Sequence, residues 1–549
     1  MGPVLIRPRE EAIDNPSVAR STAAMSVSTA VSRVTGFVRN WAMAYALGVT
    51  IFSSSYVVAN NIPNMVYELV AGGVLSSVFI PIFIERRRKA GDDDAWRLAS
   101  QVFNVAMLVL GLVALAGTIW AEPFVRTQTF LISPEEAQLA TYFFRFFAVQ
   151  IVFYGAQAVF TGVLNSYRRF LAPAVAPIFN NLVVIATLLG FYVPFRDSDP
   201  DLAVTGLAIG TTLGVVAMAL VQVPSLLKVG VRYTARFTLS HPALRKMGGK
   251  VIPVLGYVAT NMVALSVRNA YAFDVSDKGP AALQYAWMFY QLPYGIFAVS
   301  LATALFPELS SAAADEDWSL FKRHFNRGLR ATAVLIMPFA ALLVALSEPV
   351  ITLYRAGDFS AADVPLVAGI LTWWAVGLFS FAAYMYVLKT FYSLQDTWTP
   401  MYTNFGATAL RVALYATLTV GAGAWAGIGL EGVPVADAVV FSAHVLLLAV
   451  ILRKRLGRID ARDTLWALAR VALASVAGGL AAYGALLALG SLADVPLGFV
   501  VQILACGTLG LAVSYAALRL LKVPEAADAR RMVAAALSRM VPGRNGSET

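Results

Sequence analysis

Runs of about twenty or more apolar residues, parted by short polar loops, recur along the chain from residue 22 to residue 521. At ~1.5 Å per residue, each run is long enough to cross a ~30 Å hydrocarbon core as a helix. The pattern predicts spans near 22–47, 52–85, 96–121, 137–166, 171–195 and 201–227. A second series is expected near 249–271, 281–313, 328–349, 362–393, 398–420, 432–453, 464–489 and 496–521. These make about fourteen helices, which the longest polar insert, at 230–250, divides six from eight. The fold class expected is an all-α polytopic membrane protein.

Composition supports that reading and narrows it. Of 549 residues, 58% are hydrophobic and only 13% charged, and the mean hydropathy is +0.69, a balance that soluble globular chains do not have. The net charge of +10 would suggest nucleic acid in a soluble protein. Here the basic residues fall in loops, where topology and anionic lipid explain them, so no nucleic-acid partner is expected. The N-terminus, the even-numbered loops and the tail carry Arg86-Arg-Arg-Lys89, Arg168-Arg169, Lys322-Arg323 and Arg453-Lys-Arg455. The odd-numbered loops carry only Arg126, Arg196, Lys278 and Arg355. Because Lys and Arg accumulate in cytoplasmic loops, both termini are expected in the cytoplasm. The segment at 1–20 is polar and mixed in charge, and the span after it is too long for a cleaved signal peptide. The tail from Glu525 to Thr549 is a short basic amphipathic stretch expected to lie on the inner leaflet.

Six arginines remain inside the predicted helices: Arg33, Arg39, Arg145, Arg268, Arg411 and Arg470. A charge near the bilayer centre is costly, so such residues usually face a protein interior or a watery cavity and find a partner. Arg33 and Arg39 occur together in Ser32-Arg-Val-Thr-Gly-Phe-Val-Arg39 and point to an anionic passenger. Arg411 lies about 13 residues, or ~20 Å of helix, into its span, too deep to reach either surface easily. For Arg268 a cavity role and outward snorkelling are equal alternatives; for Arg145 snorkelling is favoured, and for Arg470 interfacial anchoring suffices. Among the acids, Glu68 is expected mid-membrane, either paired with Arg39 or Arg33 or coupling transport to protons. Asp437 and Glu308 are nearer helix ends and are expected to bond to caps or interfacial water. Among the amides Asn60, Asn61, Asn64, Asn165, Asn180, Asn181, Asn261 and Gln291, the strongest candidates for sugar or peptide contacts are Asn64 and Gln291. Glue between helices is the plainer role. Pro63, Gly72-Gly73 and Pro293-Tyr-Gly295 can break helices where backbone lines a cavity.

Several chemistries have no support in the sequence. Cys506 is the single cysteine, and His241, His324 and His444 show no ligand spacing, so no metal site is expected. His444 lies within a span, either as a core histidine donating to a backbone carbonyl or as a proton relay. There is no phosphate-binding Gly-rich loop, no nucleophile elbow and no paired carboxylates on a soluble domain. An enzyme is not expected, nor a cofactor; work must come from gradients, of protons among others, the membrane potential or a consumed substrate.

Specific strings then carry a resemblance. Ser32-Arg-Val-x-Gly-Phe-x-Arg39, with Ile62-Pro-Asn64 and Phe79-Ile-Pro81, resembles the opening of the MurJ/MviN family of lipid II flippases. Leu164-Asn-Ser-Tyr-x-Arg-Phe170 with Pro173-Ala-x-Ala-Pro177, and Phe391-Tyr-Ser-x-Gln-Asp-x-x-Thr-Pro400, resemble that family's fourth-to-fifth and tenth-to-eleventh helix junctions. The likeness runs in order from about residue 20 to 520. It implies a member of the multidrug/oligosaccharidyl-lipid/polysaccharide exporter superfamily. Two six-helix lobes, at 22–229 and 249–453 with a linker at 230–248, would rock about a central cavity. Helices 13 and 14, at 454–521, would form a side groove for a lipid tail, and 1–21 and 522–549 would be cytoplasmic. The implied activity is flipping of the undecaprenyl-diphosphate-linked cell-wall precursor lipid II across the bacterial inner membrane. Membrane lipids and cell-wall synthesis enzymes are the other implied partners.

The sequence departs from the family at two cavity arginines, since Tyr67 and Met288 stand at positions commonly arginine, and Gly72 at one commonly acidic. Arg39 remains, with Arg33. The candidate substrate-binding set is therefore Arg33, Arg39, Asn64, Glu68, Arg268, Gln291 and Arg411, with Arg268 and Arg411 as replacements for the missing cations. A fixed guanidinium at Arg411 would also stand in for the cation that some relatives hold among helices seven, eleven and twelve. A different lipid-linked glycan as cargo, or a scaffold that recruits cell-wall enzymes without transport, are the alternatives.

Overall fold

A computed structural model describes residues 16–69, 79–235, 242–423, 425–458, 460–495 and 497–525. The glycines Gly72 and Gly73, most of the N-terminal segment and the tail beyond Glu525 lie outside the described residues. The helices are α1 (Pro16–Leu47), α2 (Ile51–Tyr67), α3 (Ile80–Ala90), α4 (Asp92–Ile119), α5 (Ala121–Thr129), α6 (Gln138–Phe147), α7 (Gln150–Ser166), α8 (Leu171–Thr187), α9 (Val193–Phe195), α10 (Pro200–Leu220) and α11 (Val223–Lys228). They continue as α12 (Pro242–Val275), α13 (Gly279–Pro293), α14 (Val299–Ala314), α15 (Trp318–Ala345), α16 (Ser347–Ile351), α17 (Val364–Ser393), α18 (Trp398–Tyr415), α19 (Gly432–Leu456), α20 (Ala461–Ala488) and α21 (Gly498–Leu520). Among the described residues nine helical runs are long and apolar enough to cross a membrane, and ten if α6 and α7, bent by 42°, form one span. The other four expected spans coincide with α1, with α2 and α3, with α12 and with α18. Three of these helices, α1, α12 and α18, carry Arg33 and Arg39, Arg268 and Arg411.

The chain divides into two compact units, and the change occurs inside α12, between Met262 and Val263; residues 49–54 group with the second unit. In the first unit α8 packs between α1 and α10, and α7 between α4 and α10. The α8–α10 contact is close because Gly206, Gly210 and Gly214 repeat every fourth residue along one face of α10. A Cβ there would run into Phe191, Thr187 and Asn180 respectively. Small residues at such spacing let membrane helices approach by van der Waals contact. The linker's first residues are tied to α4: Tyr233 Oη donates to Asn104 Oδ1 (2.7 Å), and Asn104 Nδ2 donates to the Thr234 carbonyl (3.0 Å).

The second unit is built around α17, which packs against α13, α14, α15 and α19, while α15 also carries α20, and α20 carries α21. Gly478 and Gly479 serve two partners, because Gly478 abuts Ser514 and the Gly510 carbonyl on α21 while Gly479 abuts Ala341 on α15. On the opposite face α20 turns Leu465, Leu473, Leu480 and Leu487 outward, each more than 60% exposed. A hydrocarbon surrounding suits that leucine stripe. After Pro293 the helix loosens into a π turn, Tyr294–Ala298, before α14 begins, so Pro293-Tyr-Gly295 does interrupt the regular helix.

Candidate functional site

In the first unit the opening motif is read helix by helix. Asn181 on α8 donates to Thr35 Oγ1 (3.1 Å) and to the Ser32 carbonyl (3.4 Å), and Gly36 leaves room for that amide at contact distance. Ser32, Thr35 and Gly36 are thus the packing positions of the motif, and they fix the rotation of α1. Arg39 is half-buried, within electrostatic reach of the phenols of Tyr56 and Tyr154, whereas Arg33 is exposed. Tyr154 Oη donates to Asn64 Oδ1 (2.8 Å), and Asn64 Nδ2 donates to the Asn60 carbonyl (2.8 Å). Tyr56 Oη and Thr211 Oγ1 are 3.0 Å apart. The amide oxygen of Asn60 and the amide nitrogen of Asn61 are buried without a hydrogen-bond partner. Arg39, Tyr154 and Asn64, with Asn60 bonded through its carbonyl, form a polar group within an apolar bundle, able to donate to an anion and to hydrogen-bond a sugar.

The pairing expected of Glu68 is not seen. The residue is exposed, at the end of α2 where the helix loosens, and it makes no ion pair among the described residues, neither with Arg39 nor with Arg33. Arg145 and Arg470 are exposed. Gln291 is also exposed, on α13.

In the second unit the structure corrects the reading of Asp437. It is buried, 6% exposed, and is not at a cap: Tyr415 Oη donates to Oδ1 (2.7 Å) and Trp374 Nε1 to Oδ2 (3.1 Å). Arg411 Nε lies 3.3 Å from Oδ1, an ion pair by distance although the N–H is not aimed at the oxygen. The guanidinium of Arg411 also stands over the Phe441 ring, 4.7 Å from its centre. Arg268 on α12 is within electrostatic reach of Tyr415, Asp437 and Arg411, so it is turned toward the bundle, not outward to an interface. His444 bonds a side chain instead of a backbone carbonyl, with Nε2 2.9 Å from Thr403 Oγ1. Glu308 pairs with His324 Nδ1 at 3.0 Å. The sequence signal for this cluster was spacing: Arg411 and Tyr415 lie four apart on one face of α18. Asp437, Phe441 and His444 fall at intervals of four and three on one face of α19.

An apolar cavity of about 420 Å³ opens in the second unit, lined by Phe289, Ile296, Phe339, Leu342, Leu504 and Leu511. Between α20 and α21 themselves, at Gly478 and Gly510, packing is tight. Among the described residues no three metal-ligating side chains converge.

Residues 43–506 match the family model described as "Lipid II flippase MurJ". The "Lipid II flippase MurJ" of Burkholderia cenocepacia is 30% identical over 390 residues, covering 70% of this chain and 74% of that protein. The "Probable lipid II flippase MurJ" of Rhizobium meliloti is 29% identical over 449 residues, 79% of this chain and 80% of its own. Among solved structures, "Lipid II flippase MurJ, inward closed conformation" superposes with a TM-score of 0.74 at 22% identity, covering 90% of this chain and 99% of that one. An inward-facing multidrug resistance MATE transporter of the MOP superfamily follows the same fold with a TM-score of 0.65 at 14% identity, covering 80% of this chain and 99% of that one. By the extent of the family match, this chain belongs to the lipid II flippase MurJ family.

Proposed function

We propose that this chain is a transporter that moves lipid II from the inner to the outer leaflet of the bacterial inner membrane by alternating access. The family match over residues 43–506 carries the reading. A diphosphate-linked sugar cannot cross hydrocarbon unaided, and guanidinium and amide groups replace its hydration with charge-assisted hydrogen bonds. Arg39 supplies the charge in the first unit, with Tyr154 and Asn64 held beside it (2.8 Å between them). The apolar cavity lined by Phe289, Phe339 and Leu504 suits part of the polyprenyl tail. Both termini lie in the cytoplasm on this reading, as the distribution of Lys and Arg requires.

The test is rescue of cells depleted of their own lipid II flippase, with externally accessible lipid II as the readout. The parent should restore it, and Arg39→Ala, inserted at the same level, should lose at least tenfold. Equal rescue by both would remove Arg39 from the site. Restored growth without external lipid II would favour a scaffold, and no rescue by a well-inserted parent would point to another lipid-linked glycan.

A further inference from the structure

The buried charges of the second unit do not balance. Among the described residues two guanidinium groups, Arg411 on α18, 3.3 Å from Asp437 on α19, and Arg268 on α12, within electrostatic reach of it, have this one carboxylate between them. The other ionised groups near this end are engaged elsewhere or exposed. Lys278 Nζ is paired with Asp363 at 3.0 Å, Glu431 accepts from Trp373 Nε1 at 2.9 Å, and Asp274 is exposed on α12. Asp437 is already surrounded, taking Tyr415 and Arg411 at one oxygen and Trp374 at the other. Arg411 is held further by the Phe441 ring. What remains is Arg268, seven residues or ~10 Å of helix before the end of α12. Its Nε is buried without a hydrogen-bond partner, while the residue as a whole is half-buried and keeps some accessible surface. An uncompensated guanidinium inside a membrane bundle is costly unless an anion joins it.

We infer that Arg268 is the anion-binding group of the second unit, that the charge it takes is the diphosphate of the passenger, and that Arg411 is withheld from this role by Asp437. The inference rests on the proposed transport of an undecaprenyl-diphosphate glycolipid and divides the labour between the two arginines offered as replacements for the missing cations. Its sharpest consequence is indirect. Removing Arg411 alone leaves Asp437 to neutralise Arg268, so a residue that never touches the passenger should abolish binding. Removing the Asp437 charge as well should bring it back.

The measurement is binding of undecaprenyl diphosphate to the purified full chain in detergent, with uncharged undecaprenol as the control lipid, for variants that keep the parental elution volume and helix signal. Arg268→Gln should weaken the diphosphate lipid tenfold or more and leave undecaprenol within twofold, and Arg268→Lys should recover part of the loss by returning the charge. Arg411→Gln should also lose tenfold, and the double variant Arg411→Gln/Asp437→Asn should regain most of it. Parental diphosphate binding by Arg268→Gln overturns the inference, as does a double variant that binds no better than Arg411→Gln. In both cases a parent that still delivers lipid II to the cell surface leaves the transport reading intact. A parent that neither binds the diphosphate lipid nor rescues depleted cells removes the transport reading and this inference together.

Discussion

The side chains that matter most are those whose charge has nowhere else to go. Arg411 announces itself in the sequence because it lies deep in an apolar run, but its partner Asp437 sits 26 positions on, close enough to a helix start to pass for a cap residue. Only the antiparallel packing of α18 on α19 brings Arg411 Nε within 3.3 Å of the carboxylate. Breaking a buried pair from one side leaves an uncompensated charge and typically costs about 3–5 kcal/mol, whereas removing both partners costs far less. Asp437→Asn is accordingly expected to destabilise the protein by about that amount, and Arg411→Gln/Asp437→Asn to recover most of it, in thermal unfolding of the purified protein in detergent. Equal losses in the single and double variants would mean that the pair contributes nothing as a pair. The polar group in the first unit was half legible in the same way. Arg39 and Asn64 stand out as polar residues in apolar helices, while Tyr154, which bonds Asn64, looks like any aromatic residue until the fold supplies its neighbour.

Helices in this protein meet through small residues and end through a recurrent turn. Gly478 is pressed against the backbone carbonyl of Gly510, which cannot yield, whereas Gly111 on α4 has open space around it. Gly478→Val is expected to cost about 1–3 kcal/mol through overpacking, and Gly111→Ala to be neutral or to gain up to about 1 kcal/mol by removing helix-interior glycine, both read by thermal unfolding. The two junction strings that carry the family resemblance share one closure. Arg168 and Gln395 take left-handed backbone, with φ of 56° and 57°, and the following N–H reaches back five residues, Arg169 to Leu164 (2.8 Å) and Asp396 to Phe391 (3.1 Å). At the second junction Asp396 accepts from the Thr399 amide at 2.9 Å, from the Thr399 hydroxyl and from Arg455. Burial pushes the Asp396 carboxyl up, but the Thr399 bonds and Arg455 outweigh it and hold the group below its usual range. A carboxylate whose pKa is depressed by folding stabilises above its unfolded value, ~4, and loses that contribution as pH falls through the folded value. Melting temperature should therefore drop as pH is lowered below ~4, and Asp396→Asn should flatten that part of the profile. An unchanged slope in the variant would dismiss the clasp as a source of acid sensitivity.

For the whole molecule the net positive charge of the proposed site suggests the driving force. A membrane potential is worth about 2.3 kcal/mol per charge per 100 mV, so cavity charges that move with the two units would bias their populations. If transport runs on potential, dissipating it in rescued cells should slow the appearance of external lipid II severalfold while lipid II synthesis continues; an unchanged rate would exclude that coupling. The all-α class and the approximate places of most apolar spans were legible in the sequence alone, because burial in hydrocarbon rewards length and apolarity residue by residue and needs no knowledge of neighbours; the helix ends and the breaks within spans were not. Family membership was equally local, written in short strings whose Ser, Thr, Gly and Asn positions turn out to be packing and junction residues. The partners of Arg411 and the unbalanced charge at Arg268 were decided only by tertiary structure, as was the finding that Glu68 pairs with neither Arg39 nor Arg33 among the described residues. A charge in a low-dielectric interior is defined by what other helices place beside it, and that depends on helix rotation and crossing, which periodicity in a uniformly apolar segment does not encode.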